Sequence, residues 1–447
     1  MRVRITRWRR AAVALAMALA PAAALAPATV ASAASANPKL YVWGNNAFGQ
    51  FGNGRMGFAG GDPTGFDAEL SSPTRVPGSA SWADISSGVS HSVAIRKGGT
   101  MWAWGFNPFG LGVVDSWGNQ VRVSQYPVKL PGGNSWADVE TTETYTLALR
   151  KDGSLWAWGD NTHGQLGLGD TEPRAVPTRV GTDTNWRRVV VTPSGTSFAL
   201  KDDGSLWAWG NNRSGALALG STSPEPPALI DSDPHPTPVQ IPGSWSAVAA
   251  GGRRSTHVLA ITADGRLFAW GQNCRGQLGL GTAPVDGTDW HCLDDPRPTP
   301  VQVGSKSDWV TVVAGSTPID GGFSLAIDSS GTLYAWGDNI AGQLGLGTSL
   351  ADGDGLRSEP AVVTGGSWST VSAGYGFTLA IRSDETLWSW GWNPTGQLGN
   401  GNPGPGLSSI ESWLVDTSAR QTSPQQVGTM SGWASVSAGG LHAMATR

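Results

Sequence analysis

A seven-fold repeat is the feature that most constrains what this chain can fold into. The tetrad Trp-Gly-x-Asn recurs along the 447 residues at intervals of 51 to 66 residues, and five of its seven copies continue into Gly-Gln-Leu-Gly or Gly-Gln-Phe-Gly. A fixed motif separated by variable insertions is typical of repeat proteins, in which each unit is one supersecondary structure. The repeat tryptophans are Trp43, Trp104, Trp158, Trp209, Trp270, Trp336 and Trp390.

Each repeat also carries the pattern of four short strands. A second tryptophan opens a run such as WADISSG, an alternating apolar run such as HSVAIRKGG follows, then a strand such as LWAWG, and finally a Pro-containing segment such as PTRV. Gly, Asp and Pro turns separate the four runs. Four-stranded units at this period predict an all-β protein, a single seven-bladed β-propeller. We expect the Gly-rich motif to be the turn that leaves each blade's inner strand, and Asn161 and its equivalents to bond local backbone.

The two ends of the repeat region predict how the ring closes. The sequence ends in WASVSAGGLHAMATR, a unit that lacks its LWAWG strand, and the repeat region begins with NPKLYVWGNN, a strand that lacks its unit. Joined, the two segments restore the register of HSVAIRKGGTMWAWG to within a residue. We therefore expect N- and C-terminal strands to share one blade, which removes the free sheet edges of an open array.

Most tryptophans are explained by this repeat. Fourteen of the 23 occupy the two repeat positions, and four more (Trp102, Trp156, Trp207 and Trp388) lie two residues before the Trp-Gly pair. Residues i and i+2 of a strand share a face, so these eighteen are predicted to pack in the core between blades.

The complete pattern resembles the regulator of chromosome condensation repeat, across essentially all of residues 40–447. The resemblance implies a seven-bladed propeller and says little about activity, because such folds carry unrelated functions. The founding members of that family act on a nuclear GTPase and bind chromatin, roles that do not suit an exported acidic chain. A weaker resemblance is to secreted streptomycete propellers that inhibit β-lactamases through one aromatic-rich loop face. That resemblance suggests a mode of action, a rigid ring that presents one face to a partner, without transferring any residue.

The first 36 residues are predicted to be a secretory signal peptide that precedes a propeller of residues 37–447. MRVRITRWRR carries five arginines and is followed by an Ala-rich apolar run and a small-residue zone ending in ASAASA. General secretion is favoured over twin-arginine export, for which Arg9-Arg10 is the only hint. Removal of the leader shifts the formal charge from −4 to about −9. A secreted, extracellular monomer is expected, with no membrane span and no nucleic-acid partner, because no basic stripe is evident in the sequence.

Two cysteines, Cys274 and Cys292, are predicted to form a disulfide in an oxidising compartment. The alternative is a metal site that uses His291 and the acids Asp294 and Asp295, but the spacing of seventeen intervening residues is unlike that of a zinc site.

Candidate binding residues lie where the repeat is interrupted. Trp117, Trp290 and Trp413 lie in insertions after the Gly-rich motif, and Trp392 occupies the variable position between Trp-Gly and Asn. Either these tryptophans pack within loops, or they are exposed anchors of the kind that binding surfaces use. The insertions also hold acids, such as Asp352 and Asp354, whose spacing weakly suggests calcium; a solvated acidic rim is the alternative, and no cofactor is predicted. All insertions occupy the same place in the repeat, so we expect them on one rim.

No sequence pattern indicates catalysis. His91, His257 and His442 share one repeat position with Tyr145, Thr196 and two phenylalanines, which indicates a packing role, whereas His291 lies beside acids and an aromatic residue. Metalloprotease, P-loop and nucleophile-elbow motifs are absent from the sequence. We therefore predict a non-catalytic scaffold that binds another extracellular protein, and an enzyme inhibitor is one form of it. A carbohydrate- or cell-wall-binding propeller is the alternative, and a propeller hydrolase or lyase is the third.

Overall fold

The computed structural model describes residues 37–56, 69–78, 80–220, 233–254, 256–282, 296–317, 321–353, 355–406 and 419–447. Its strands form seven separate four-stranded antiparallel sheets, and one 3-10 turn at Leu350–Asp352 is the helical element within these ranges. The predicted all-β propeller with seven four-stranded blades is confirmed.

Six blades are continuous in sequence, and the seventh combines both ends of the chain. The seventh consists of β27 (Ser435–Ala438), β28 (His442–Thr446), β1 (Leu40–Asn45) and β2 (Glu69–Arg75). Blade 1 comprises β3 (Trp82–Ser87), β4 (His91–Arg96), β5 (Met101–Phe106) and β6 (Val123–Lys129), and blade 2 comprises β7 (Trp136–Thr141), β8 (Tyr145–Arg150), β9 (Leu155–Gly159) and β10 (Arg174–Arg179). Blade 3 comprises β11 (Trp186–Val191), β12 (Thr196–Lys201), β13 (Leu206–Gly210) and β14 (His235–Ile241), and blade 4 comprises β15 (Trp245–Gly251), β16 (His257–Thr262), β17 (Leu267–Gly271) and β18 (Arg297–Gln302). Blade 5 comprises β19 (Trp309–Ser316), β20 (Gly322–Asp328), β21 (Leu333–Asp338) and β22 (Leu356–Val362), and blade 6 comprises β23 (Trp368–Ala373), β24 (Phe377–Arg382), β25 (Leu387–Trp392) and β26 (Arg420–Gln426).

The first strand of every blade is the inner one. A central channel is lined by β3, β7, β11, β15, β19, β23 and β27, all of which are first strands in the blade order. The strand LWAWG is the third, and the Gly-rich motif therefore connects the third strand to the outer one. The expectation that this motif leaves the inner strand is wrong, because the repeat alone does not reveal which edge of a blade faces the axis.

Ring closure follows the prediction. Strand β1 pairs with β28 in an antiparallel ladder that runs from Leu40 opposite Thr446 to Gly44 opposite His442. Two further backbone bonds join Lys39 and Arg447, at 2.7 and 3.0 Å. The seventh blade thus has the same four-stranded order as the others, so neither β1 nor β28 is left as an unpaired edge at the junction.

The hydrophobic core lies between neighbouring blades. One typical cluster joins Leu325 and Leu333 of blade 5 to Trp368 and Trp390 of blade 6, and each of these side chains is buried. All fourteen tryptophans at the two repeat positions are buried, as predicted. Trp102, Trp156, Trp207 and Trp388 are only partly buried, which corrects the prediction that they are core residues. The physical reason is that each of these rings packs against a cation of the second strand, so it lies at the margin of the apolar core.

A repeated hydrogen bond connects one blade to the next. In six of the seven blades the indole Nε1–H donates at 2.7 to 2.9 Å to a main-chain oxygen in the Gly-rich motif of the preceding blade. In four of them a Ser or Thr hydroxyl of the second strand donates to the same oxygen, at 2.7 to 3.0 Å. The acceptor is the carbonyl of the motif's Gln, and in blade 3 it is the carbonyl of Ala216. We call this contact the inter-blade lock.

Two other motif residues shape the turn that carries the lock. Asn161 accepts a hydrogen bond from the Leu166 N–H at 2.9 Å and donates to the Asp170 carbonyl at 2.9 Å, so its predicted role in bonding local backbone is confirmed. Gly345 has a φ of +72°, and a Cβ there would lie 2.8 Å from the Trp390 Nε1. Glycine ends the motif because a side chain at this position would collide with the indole of the next blade.

The antiparallel order sorts the connections onto two faces. First-to-second and third-to-fourth connections lie on one face, which we call the loop face. Second-to-third connections and the links between blades lie on the opposite face, which we call the turn face. The insertions that follow the Gly-rich motif begin and end on the loop face in every blade, because they all join a third strand to a fourth.

Candidate functional site

The loop face presents one fully described tryptophan to solvent. Trp117 is 85% exposed at the tip of the connection between β5 and β6. The tip is closed by the Asp115 N–H, which donates to the Asn119 carbonyl at 2.8 Å, and by a bridge between Val114 and Gln120. The Asp115 carboxylate accepts the N–H groups of both Trp117 and Asn119 at 2.9 Å, and these bonds lower the pKa of Asp115. The exposed indole is therefore held on an ordered turn.

Two more exposed apolar side chains belong to the same stretch. Val114 precedes the tip, and Val123 begins β6 at the loop face. Large apolar side chains exposed together on one connection are unusual on a surface that contacts only water, and ordered aromatic anchors are typical of protein interfaces. This group, Val114, Trp117 and Val123, is the candidate binding site, and we call it the Trp117 group.

Trp392 is buried, contrary to the expectation that it is an exposed anchor. It is 3% exposed at the end of β25 and packs with Ile340, Ala341 and Ala419. The residue after Trp-Gly continues the third strand, so its side chain turns toward the preceding blade. The packing interpretation of Trp392 is the correct one.

The remaining sequence candidates lie largely outside the described residues. Trp290, His291, Trp413 and Cys292 fall in the ranges 283–295 and 407–418, which the structure does not describe. Their roles, and the disulfide between Cys274 and Cys292, stay predictions.

The acidic insertion after β21 has a structural role in its described part. The Asp352 carboxylate accepts hydrogen bonds from the Ser349 N–H and hydroxyl, at 2.9 and 3.2 Å, and so caps the short 3-10 turn. Within the described ranges, no group of three or more His, Cys, Asp or Glu side chains is arranged to hold a metal ion.

The central channel contains a cluster of charged side chains that the sequence did not predict. The cavity of about 380 Å³ is lined by the inner strands of all seven blades. Asp84 accepts the Val139 N–H of the next blade at 3.0 Å, and the guanidinium of Arg188 lies 3.8 Å from Asp138 and 3.3 Å from Glu140. These bonds join inner strands that share no backbone ladder. Three carboxylates facing one guanidinium therefore connect three neighbouring blades at the axis.

Burial and crowding perturb these carboxylates. Burial and, to a smaller extent, the nearby Asp138 raise the pKa of Asp84 to about 7. Burial also raises the pKa of Glu140 to about 7, against the opposing influence of Arg188. The channel wall thus carries two acids that titrate near neutrality.

A buried histidine and serine lie close together between blades 7 and 1. The Ser92 hydroxyl and His442 Nε2 are 3.0 Å apart, and the hydroxyl also contacts the Gln50 carbonyl at 3.0 Å as part of an inter-blade lock. Both residues are fully enclosed, and burial lowers the pKa of His442 to about 3. A pair without solvent access cannot reach a substrate. It agrees with the packing role predicted for this repeat position.

Comparison with known proteins decides the family. The model of the regulator of chromosome condensation (RCC1) repeat matches residues 39–95, 152–199, 203–261, 264–317, 330–381 and 384–446, and a second model of the same repeat matches 82–111, 138–165 and 368–397. The chain belongs to the RCC1 repeat family.

The relatives of this RCC1-repeat protein include a light receptor and ubiquitin ligases. It is 30% identical over 371 residues to the Ultraviolet-B receptor UVR8 of Arabidopsis thaliana, covering 80% of this chain and 74% of the relative. It is 31% identical over 265 residues to the mouse E3 ubiquitin-protein ligase HERC2, covering 58% of this chain but only 5% of that protein. The chain therefore spans a small part of the ligase.

Solved structures share the RCC1-type ring. Human WBSCR16 superposes with a TM-score of 0.70 at 19% identity, covering 91% of this chain and 99% of that one. Prp20p of Saccharomyces cerevisiae, described with its binding to Gsp1p and histones, superposes with a TM-score of 0.68 at 18% identity and 92% coverage of both chains. At these identities the likeness establishes the fold. No helix in the described part of this RCC1-repeat protein is long and apolar enough to cross a membrane.

The raised pKa values of the channel carboxylates predict that the stability of this RCC1-repeat protein depends on pH. The pKa of Glu140 is raised in the folded state, so its contribution to stability is complete at low pH and is lost as pH rises toward 7. Glu140→Gln keeps the side-chain shape and removes the charge. We expect the variant to melt about 2 °C above the parent at pH 8 and to show no such gain at pH 5.

Thermal unfolding followed by circular dichroism at the two pH values measures this difference. Glu172→Gln, at an exposed acid outside the channel, is the matched control. A loss of stability in Glu140→Gln at pH 8, or an equal change at both pH values, would contradict the prediction.

Proposed function

We propose that this protein is an exported binding scaffold that captures a partner protein with the Trp117 group on its loop face. The exposed, hydrogen-bonded tip that carries Trp117 is the observation that supports the proposal. A rigid turn lowers the conformational entropy lost on binding, and a tryptophan supplies a large apolar contact. The structurally similar Prp20p is described with its binding to Gsp1p and histones, which suits a scaffold role. Export rests on the leader predicted in residues 1–36.

Replacing Trp117 is the direct test. Immobilised protein is incubated with the native culture medium, and the retained protein is identified and its affinity measured. Trp117→Ala should weaken the affinity about tenfold or more while the melting temperature stays within a few degrees, because the indole contacts solvent rather than the core.

Val362→Ala is the control, since it removes another exposed apolar side chain from the outer strand β22. Unchanged affinity in Trp117→Ala would remove the Trp117 group from the interface. The same measurement on Trp290→Ala and Trp413→Ala tests the two candidates outside the described residues.

Inhibition of an enzyme is the more specific form of this proposal. A captured enzyme would be assayed with increasing scaffold, and an inhibitor should reduce its rate to a plateau at a stoichiometric ratio, with Trp117→Ala shifting the curve to higher concentration. The rival proposal, a cell-wall glycan bound by the same ring, predicts retention on purified peptidoglycan instead of capture of a protein.

A further inference from the structure

The turn face has a strongly uneven charge. Its part formed by blades 7, 1 and 2 carries nine basic residues and two acids among the described residues. The bases are Lys39, Arg75, Arg96, Lys97, Lys129, Arg150, Lys151, Arg179 and Arg447, and the acids are Asp152 and Asp183. The part formed by blades 3 to 6 carries five bases and seven acids, counted over the described residues in the same way. We call the first part the basic sector.

A motif repeated around the ring shows how the cations of the turn face are held. In six blades a cation lies over an aromatic ring at the start of the third strand. In blades 3, 4 and 5 a carboxylate neutralises that cation: Lys201 contacts Asp183 at 2.6 Å, Arg266 contacts Asp264 at 2.8 Å, and Lys306 contacts Asp328 at 3.0 Å.

Blades 1, 2 and 6 lack such an ion pair within the described residues, and of these only blades 1 and 2 lie in the basic sector. The Arg96 guanidinium lies 3.9 Å from the centre of the Trp102 ring, and that of Arg150 lies 3.6 Å from Trp156. Neither guanidinium forms an ion pair within the described part of the chain, and the Nε of each has no hydrogen-bond partner there. The terminal N–H groups of a guanidinium that lies over an indole can still donate to an oxyanion. The two arginines are thus oriented but not neutralised.

An open groove between blades 7 and 1 extends from the basic sector along the outer strands to Gly52 and Asn53 of the β1–β2 connection. It encloses about 480 Å³, within the range of ligand sites, and none of its lining residues is acidic. Lys39 and Arg96 supply positive charge, and Tyr126 and the partly buried Trp102 supply aromatic surface, while Trp82 forms the buried floor. Tyr126 is 59% exposed. Aromatic rings beside cations suit a ligand that combines apolar ring faces with acidic groups.

We propose that the basic sector binds an acidic polysaccharide, with sugar rings against the groove aromatics and acidic substituents on the cations of blades 7, 1 and 2. Positive charge spread over three blades matches an extended ligand with many acid groups better than a single small anion. The net negative charge of the chain, about −9 without its predicted leader, repels the dense charge of nucleic acid more than the single charge per ring of a polyuronate. The choice of a polysaccharide over an acidic protein rests on the proposed export. The cations of the basic sector lie on the face opposite the Trp117 group, so loss of polysaccharide binding and loss of protein capture can be told apart by variants on the two faces.

Binding to polygalacturonate tests the assignment. Affinity is measured at low salt by retardation in gels that contain the polymer, with fully methyl-esterified polygalacturonate as the uncharged counterpart. The parent should be retarded by the acidic polymer alone. Lys97→Glu combined with Lys151→Glu, two exposed positions in the basic sector, should weaken binding about tenfold or more.

Arg122→Glu combined with Arg213→Glu is the matched control, because it makes the same charge change at exposed positions on the loop face. The control should bind as the parent does, and circular dichroism confirms that both double variants are folded. Absence of retardation of the parent, equal binding of the two double variants, or equal binding of the esterified polymer would overturn the proposal. Preference for polyglutamate or single-stranded DNA over polygalacturonate would overturn the choice of ligand class.

Discussion

Replacing Trp336 with alanine is expected to lower the free energy of unfolding by about 4 kcal/mol. The indole is completely buried among Leu259, Leu278 and Val312, so alanine leaves a cavity between blades 4 and 5. The substitution also removes the inter-blade lock to the Gln277 carbonyl, which the Ser324 hydroxyl alone would then satisfy.

Two companion variants separate the contributions of volume and hydrogen bonding. Trp336→Phe restores most of the apolar volume without the N–H, and it should recover all but about 1 to 2 kcal/mol of the loss. Tyr334→Ala removes a partly buried ring from the same strand and should cost distinctly less than Trp336→Ala. Urea denaturation followed by circular dichroism gives the three values. Equal losses for Trp336→Ala and Tyr334→Ala would contradict the central role of the lock position.

Removal of strand β1 should be the most damaging change to the ring. A chain that begins at Asn46 lacks the ladder from Leu40 to Gly44 that pairs with β28, and it also lacks the partner of β2. We expect the melting temperature to fall by about 10 °C or more. Exposed edges on β28 and β2 should also promote self-association.

Differential scanning calorimetry and light scattering measure the two effects. A chain that begins at Asn37 is the control and should melt as the full-length protein does. A synthetic peptide of residues 37–46 added to the shortened chain should restore part of the lost stability, since it can re-form the same ladder. Identical melting of the two chains would mean that closure contributes little.

The fold could be predicted because the repeat consists of tryptophan, glycine and asparagine at fixed spacings, a pattern that few other structures would produce. Trp158 and its equivalents recur with Gly and Asn at fixed positions, and the incomplete first and last units are complementary. The sequence did not show which strand of each blade faces the axis. A repeat of four strands has the same sequence pattern whether its first strand is the inner or the outer one. That ambiguity explains the wrong placement of LWAWG beside the axis.

Predictions about individual side chains succeeded where local backbone decides the contact. The role of Asn161 depends on residues within nine positions, so it could be inferred from the motif. The inter-blade lock could not, because its acceptor is a main-chain oxygen, which every residue has. Replacement of the motif's Gln by Ala216 was a usable signal: a position that tolerates Ala contributes through its backbone.

Electrostatic features were the least visible from the sequence. Asp84, Asp138, Glu140 and Arg188 are separated by up to 104 residues and meet only because the ring closes. The basic sector is also hidden, since an overall charge of −4 says nothing about how charge is divided between faces. The expectation that no basic stripe exists was drawn from the total, and the structure shows a concentrated one.

The inter-blade lock has a consequence for how such rings can change over generations. Each unit carries a donor indole for the neighbour before it and an acceptor carbonyl for the neighbour after it. A duplicated unit would arrive with both halves of its attachment and could join the circle without compensating substitutions. Because the attachment uses the polypeptide backbone, inherited variation can accumulate in the adjoining insertions while the circle stays intact.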